Sequence, residues 1–492
     1  MNSIRIPVLS VIAVLSLLWP AILNGQYIFM ADSISYVRAG ASVFRGIFDV
    51  DSPWLTSAPA QTSAADAGAD GPAGDDGYVI AGRSVYYGLI LYISTWLSSL
   101  WGALIFQAAC ITIAIVLTAR AICGASLQTS LLVASFVGLT TTASFFASYL
   151  MPDVFAAIAI LAIANLFILY PRQNRMTLLL WFLLLAVALV SHASHVLLTV
   201  CLIALGGCFA LFRRGLISLA GMAIAGAAVA VALIGELAFS MTVERMYGVP
   251  PLRPPFLMAQ VLADEPGYTY LKSQCPAARL KLCDFVHVLP QPADVLLWSK
   301  DPAKGIYSTS DVATRRALSD EQLPFVIQVL EYDFLGQMKA SLLRFAEQLF
   351  EINVIEFAYS PELRHLLIDR LPPGIDEPAS ESRLFRDTFP LAVIDIFFKA
   401  VLLIAIVIAA VYGVQAIYRA RNRYLPDDVV SGEKMVAFFA AVLAGIVLNA
   451  AITGVLSGPF DRYQARVIWL LVLCAVLVYL WSRTVGSASQ RR

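Results

Sequence analysis

The chain has 492 residues, 59% of them hydrophobic and only 14% charged, and its mean hydropathy is +0.76. That balance excludes a water-soluble globular protein and describes an α-helical polytopic membrane protein. Its 34 basic and 34 acidic residues cancel, so the overall charge gives no reason to expect a nucleic-acid partner.

Apolar stretches long enough to cross about 30 Å of hydrocarbon lie near 7–23, 102–119, 128–150, 154–170, 176–191, 195–212, 216–236, 400–418, 435–456 and 464–482, which predicts about ten transmembrane helices. If Arg5 is cytoplasmic, the loops on its side carry Arg120, then Arg172 and Arg175, Arg213 and Arg214, Arg419, Arg421 and Arg423, and finally Arg483, Arg491 and Arg492. The short opposite turns at 151–153 and 191–194 carry no Lys or Arg. This alternation obeys the positive-inside rule and puts both termini in the cytoplasm. The first stretch is read as an anchor, because Trp19-Pro20 and Asn24-Gly25-Gln26 make a poor signal-peptidase site.

Two long segments then lie outside, 24–101 and 237–399, dividing the chain into a core at 1–236, an outer domain of α or α+β type at 237–399, and C-terminal membrane helices at 400–492. The first loop opens with "FMADSISYVRAGASVFRG" (29–46), which sets Asp32 and, one helical turn later, Tyr36 at the mouth of the membrane. Asp32 is either a reactive carboxylate or the N-cap of the helix it begins. Residues 56–77 are rich in Ala, Gly, Asp and Pro and read as a mobile linker. "GRSVYYGLILYISTWLSSLWG" (82–102) reads as a juxtamembrane helix, since counting it as a span would reverse the charge alternation.

Further along, polar residues collect at the same outer face: Asp153 before the fourth span, His192 and His195 between the fifth and sixth, Glu236 at the end of the seventh, and Lys399 at the start of the eighth. The tenth opens with "SGPFDRYQARVIW" (457–469), which supplies Asp461, Arg462, Tyr463 and Arg466. Charges beside hydrocarbon are costly and mark sites, whereas charges in the headgroup layer are cheap. Each residue alone has a structural reading: Asp153 as a helix cap, Lys399 snorkelling and paired with Asp395, and the arginines among lipid phosphates. Two histidines three apart, without a third ligand nearby, do not predict a metal site. Cys275 and Cys283, eight positions apart in the polar outer segment, predict a disulfide in an oxidising compartment. With no glycosylation sequon in the chain, a bacterial inner membrane with a periplasmic domain fits best.

"ADSISYVRAGASVFRG" resembles the first periplasmic loop of the GT-C membrane glycosyltransferases of protein-mannosyltransferase and aminoarabinose-transferase type. "GRSVYYGLILYISTWL", "YLMPDVFAAIAILAIANLFIL", "LVSHASHVLLTV" and "DRYQARVIWLLVL" resemble later elements of that family in order, covering roughly the first 210 residues and the last 40. The resemblance implies a polyprenyl-phosphate-linked sugar as donor and a glycan, lipid or protein as acceptor. It makes Asp32 the catalytic base and Arg462 the main cation on the donor phosphate, with His192, His195 and Lys399 as secondary ones. Tyr36, Arg83, Asp153, Glu236 and Tyr463 are then substrate contacts. Ser33 stands where the family pattern has a second acid, which argues against a divalent metal there. The alternatives are a transporter or flippase of a lipid-linked solute, and a non-catalytic assembly or binding protein.

Overall fold

The computed structural model describes residues 2–56, 79–213, 215–421 and 430–490, so nearly all of the expected linker at 56–77 lies outside the described residues. Those residues form helices and loops. Their only β-type pairings are two isolated bridges, Ile28 with Tyr149 and Ile80 with Leu252.

The chain opens with α1 (Asn2–Asn24), and then runs through α2 (Ala31–Phe48), α3 (Pro53–Thr56) and α4 (Val85–Leu97) before the long α5 (Trp101–Cys123). The apolar run expected at 128–150 divides into α6 (Leu127–Thr140) and α7 (Ala143–Ser148). At the break the Thr141 hydroxyl bonds back to the Val137 carbonyl and the Thr142 hydroxyl bonds across to the Ala465 carbonyl at 2.7 Å, so side chains take over from the helix ladder. Next come α8 (Val154–Ile168), α9 (Arg175–Ser191), α10 (Ala193–Phe212) and α11 (Leu219–Tyr247). Asn174 and Ser218 cap α9 and α11, accepting the backbone N–H groups of Thr177 and Gly221.

The segment that follows is built from short helices: α12 (Phe256–Ala263), α13 (Glu265–Gln274), α14 (Ala293–Trp298), α15 (Val312–Asp320), α16 (Gln322–Tyr332), α17 (Phe334–Gln348), α18 (Pro361–Arg370) and α19 (Asp376–Glu381). It has its own apolar core around Leu271, Leu282, Leu318 and Phe325. Cys275 and Cys283 are disulfide-bonded there, with Cα atoms 5.5 Å apart. Three long helices close the chain: α20 (Leu391–Arg421), α21 (Gly432–Leu456) and α22 (Asp461–Gln490).

Seven helices (α1, α5, α10, α11, α20, α21 and α22) are long and apolar enough to cross a membrane. This is a helical multi-pass membrane protein. The other three expected spans fall on shorter apolar helices: α6, which breaks at the threonines, α8 of 15 residues and α9 of 17. All 15 residues of α8 are buried, the pattern of an all-round apolar helix at the centre of a bundle. Outside the bundle, α2 lies tightly on α4. A Cβ added to Gly40 would come 2.1 Å from the Gly88 carbonyl oxygen, and one on Gly88 would come 2.3 Å from the Tyr36 oxygen. Only glycine permits that approach, and it fixes the start of α2 against the residues that lead into α4.

Candidate active site

Two connections made by the backbone around Ile28 and Phe29 bring one set of helix ends together. Before α2, the Ile28 N–H donates to the Ser148 carbonyl and the Ile28 carbonyl accepts from the Leu150 N–H, both at 3.0 Å. This pins the entry to α2 beside the turn that leads into α8. The Phe29 N–H donates to the buried Tyr359 hydroxyl at 2.7 Å, tying the same entry to the segment after α17.

On that frame Asp32 does not cap its helix. The N-cap is Met30, and Ser33 accepts the Met30 N–H at 2.9 Å. The Asp32 carboxylate instead pairs through Oδ1 with Arg83 Nη2 at 2.5 Å, while Oδ2 has no hydrogen bond among the described residues. Burial alone would raise this carboxyl, but the charges of Arg83 and Arg462 and the Arg83 hydrogen bond outweigh it and hold it below its ordinary value. Tyr36 is buried, its ring edge-on to Tyr87 at 5.0 Å. Burial raises its phenol, which stays protonated. Tyr87 donates to Gln107, and Gln107 in turn donates to the Ala147 and Tyr149 carbonyls, extending the frame into α5.

Arg462 sits opposite, at the start of α22. Its Nη1 donates to the Met30 thioether at 2.6 Å, its Nη2 to the Tyr463 hydroxyl at 3.2 Å, and its backbone N–H to Glu356 at 2.8 Å. The Glu356 carboxylate also lies 3.7 Å from Arg462 Nε. Burial raises the Glu356 carboxyl, with Arg462 opposing. Tyr463 lies between two guanidinium groups, 4.9 Å from that of Arg462 and 5.2 Å from that of Arg466. Tyr149 also donates to the Met30 sulfur.

One turn deeper, Arg466 forms a fully buried pair with Asp153 at 3.0 Å. The Asn449 side-chain oxygen accepts from both Arg466 Nε and Nη2, at 3.2 and 2.8 Å. Asp153 therefore serves as the counter-ion of Arg466, and its side chain does not cap α8.

The remaining expected residues are placed as follows. His192 Nδ1 accepts the Ser194 N–H at 3.1 Å, capping α10. Burial above all, and then the Arg466 charge, lower its imidazole to about 4, so it is neutral near pH 7 and its Nε2 carries the proton. His195 is wholly buried, with Nδ1 2.9 Å from the Ala188 carbonyl. His192, as folded, therefore does not supply the positive charge that the sequence suggested. Lys399 is engaged by Asp395 at 2.6 Å and by Asn353. Beside it lies a shallow surface groove walled by Phe398, Leu402, Trp469 and Val472. Glu236 is half exposed on α11 and paired with Arg253, away from the Arg462 contacts.

No family model, curated protein or solved structure matches this chain. The centre therefore has to be judged on its own geometry. It joins Asp32, Arg83, Tyr36, Arg462, Tyr463, Asp153 and His192 from five separate stretches of sequence. Sequence reading missed Met30, Tyr149, Asn449 and Glu356. Glu356 belongs to a stretch with no recognisable motif, and the others are uncharged residue types that carry no signal until the fold is known. Among the described residues no three of His, Cys, Asp and Glu gather closely enough to hold a metal ion.

A strap holds the arginine end in place. Gln348 exchanges two hydrogen bonds with the Phe460 backbone, at 3.0 and 2.9 Å. Asn353 donates its N–H and its side-chain amide to Asp461 at 3.0 and 2.5 Å, and Glu356 takes the Arg462 N–H. Thus residues 348–356 grip three consecutive positions, 460 to 462. The strap is moored to α20 by the Val354 N–H, which donates to Asp395 at 2.8 Å.

Proposed function

We propose that this protein is a GT-C-like membrane glycosyltransferase, moving a sugar from a polyprenyl-phosphate donor to a glycan, lipid or protein acceptor at the outer face of a bacterial inner membrane. The observation that carries the reading is the placement of an ionised carboxylate, Asp32, and a guanidinium held by a weak acceptor, Arg462, in one polar centre at the outer ends of apolar helices. The acceptor hydroxyl gives its proton to Asp32 Oδ2 as its oxygen bonds to the anomeric carbon. The bond from that carbon to the phosphate oxygen breaks, its electron pair leaves with the phosphate, and Arg462 stabilises the charge. A thioether is a poor competitor for a guanidinium, so Arg462 Nη1 can exchange Met30 for a phosphate oxygen at small cost. Arg83 holds Asp32 ionised and oriented.

In this reading ten segments cross, both termini are cytoplasmic, and 237–399 is periplasmic, where a disulfide persists. The Asp32–Arg83 pair and Ser33 also favour a second reading, a binding protein in which the same centre holds a lipid phosphate without chemistry. Lipid extracted from the detergent-solubilised protein should contain a polyprenyl phosphate or its glycoside. Arg462→Lys should retain the charge but lose most transfer, because the planar fork is gone. Copurified polyprenyl phosphate with no sugar transfer to any acceptor decides for the binding protein, and its absence rejects both.

A further inference from the structure

Helix α17 is polar on the side that faces the protein and apolar on the side that does not. Its buried residues are Gln337, 4% exposed, and Gln348, 0% exposed. Gln337 donates to Asp264 at 2.6 Å, and the nearly buried Arg344 pairs with the same carboxylate and donates from Nε to the Gly454 carbonyl at 3.1 Å. The large outward residues are Phe334, Leu335, Met338, Leu342 and Leu343, with Leu335 78% and Leu343 61% exposed; the exposed Lys339 and Glu347 share this side, their long stems able to carry the charge to the headgroup layer. Leu323 and Ile327, one turn apart on α16, continue the apolar surface. In a helix facing water this arrangement is reversed.

What covers this face follows from where α17 is fixed. Its inner side is bonded to the last turn of α21, a membrane-length helix, at Gly454, and its end at Gln348 is bonded to Phe460, immediately before α22, another such helix. The apolar face therefore begins at the level where two membrane-length helices end or start, one of which, α21, itself exposes Leu443 and Val447. We infer that α16 and α17 form an interfacial hairpin whose outer face is immersed in the outer-leaflet lipid, at the boundary of headgroups and acyl chains. The segment 237–399 is then half embedded, and the strap at 348–356 starts from a helix whose position the lipid sets. This inference needs the membrane character of the protein and not the transferase reading.

The full-length chain, with its five free cysteines replaced by alanine and the disulfide kept, is reconstituted in nanodiscs as Leu342→Cys or, for comparison, Lys304→Cys, each labelled with an environment-sensitive nitrobenzoxadiazole. Lys304 lies on the exposed polar side of the domain. At position 342 the emission should shift to the blue and be quenched by lipids carrying a nitroxide near the top of the acyl chain, whereas the label at 304 should behave as in water. A water-like spectrum at 342 overturns the inference. So does a blue shift without quenching, which means that protein covers the face instead of lipid.

Discussion

At the scale of single residues, the opposing ion pairs assign distinct duties to groups that look alike in the sequence. Asp153 and Asp32 both stand at the starts of helices, yet one is sealed against Arg466 and the other keeps Oδ2 free of hydrogen bonds among the described residues. Asp32→Asn preserves shape and leaves the Met30 cap intact but weakens the Arg83 contact, so, assayed below the variant's own unfolding temperature, transfer should fall by about 10²–10⁴, the share of a general base. Near-normal turnover would remove the chemical role. The depressed Asp32 carboxyl predicts the pH dependence. A base with lowered affinity for protons stays ionised as pH falls, so activity should persist to below the ordinary carboxylate range. Arg83→Gln removes the larger of the two opposing charges and leaves burial to raise the group. The acid limb of kcat/KM should then move to higher pH, and a limb that stays in place would show that Asp32 is not the titrating base.

At the scale of elements, the strap is the least legible part of the molecule. The pairing of α2 with α4 depends on the close approach at Gly40 and Gly88, which no motif marked, whereas the arginine-bearing start of α22 was visible as a motif. Nothing in residues 348–356 announces that Gln348, Asn353 and Glu356 will meet 460 to 462, because the partners of all three lie more than 100 positions away. The apolar run at 128–150 was similarly opaque, since hydropathy counts the methyl of threonine and not a hydroxyl that takes over a backbone bond. The strap also contains a proton-sensitive contact. The hydrogen bond of Glu351 with Asp461, followed by burial, raises the Glu351 carboxyl from 4.5 to about 7, with Glu347 and Glu356 adding to the effect. A carboxyl raised on folding contributes stability that is complete below its unfolded value and lost as pH rises through the folded one. The strap should therefore loosen between about pH 4.5 and 7. Amide protection at Asn353 and Val354, exchange corrected for its intrinsic pH dependence, should fall across that window, and Glu351→Gln should make the protection independent of pH. Constant protection from pH 5 to 8 in the wild-type chain would dismiss the contact.

For the whole molecule, the charge alternation and the long apolar helices agree on a multi-pass protein, and composition alone was enough for that. The number of crossings was harder to read, because buried helices such as α8 need not be as long as those that meet lipid along their whole length. If the parity drawn from the arginines holds, a fluorescent reporter that matures only in the cytoplasm should be bright when fused after Arg492, whereas an alkaline phosphatase inserted at Lys304 should be active. A dark C-terminal reporter would reverse the last three helices and place Arg462 on the wrong side for the proposed chemistry.

The buried Arg466–Asp153 pair also sets a schedule for making the protein. The two residues are 313 positions apart, which at about 5–20 residues per second is roughly 15–60 s of translation. Throughout that interval α8 exists without the one cation that neutralises its acidic end, and a lone carboxylate is expensive to leave in hydrocarbon. The nascent helix must wait with Asp153 at the aqueous boundary, and it can sink to the centre of the bundle only when the final helix arrives. A ribosome halted before α22 should therefore leave α8 open to protease, and release of the completed chain should close it.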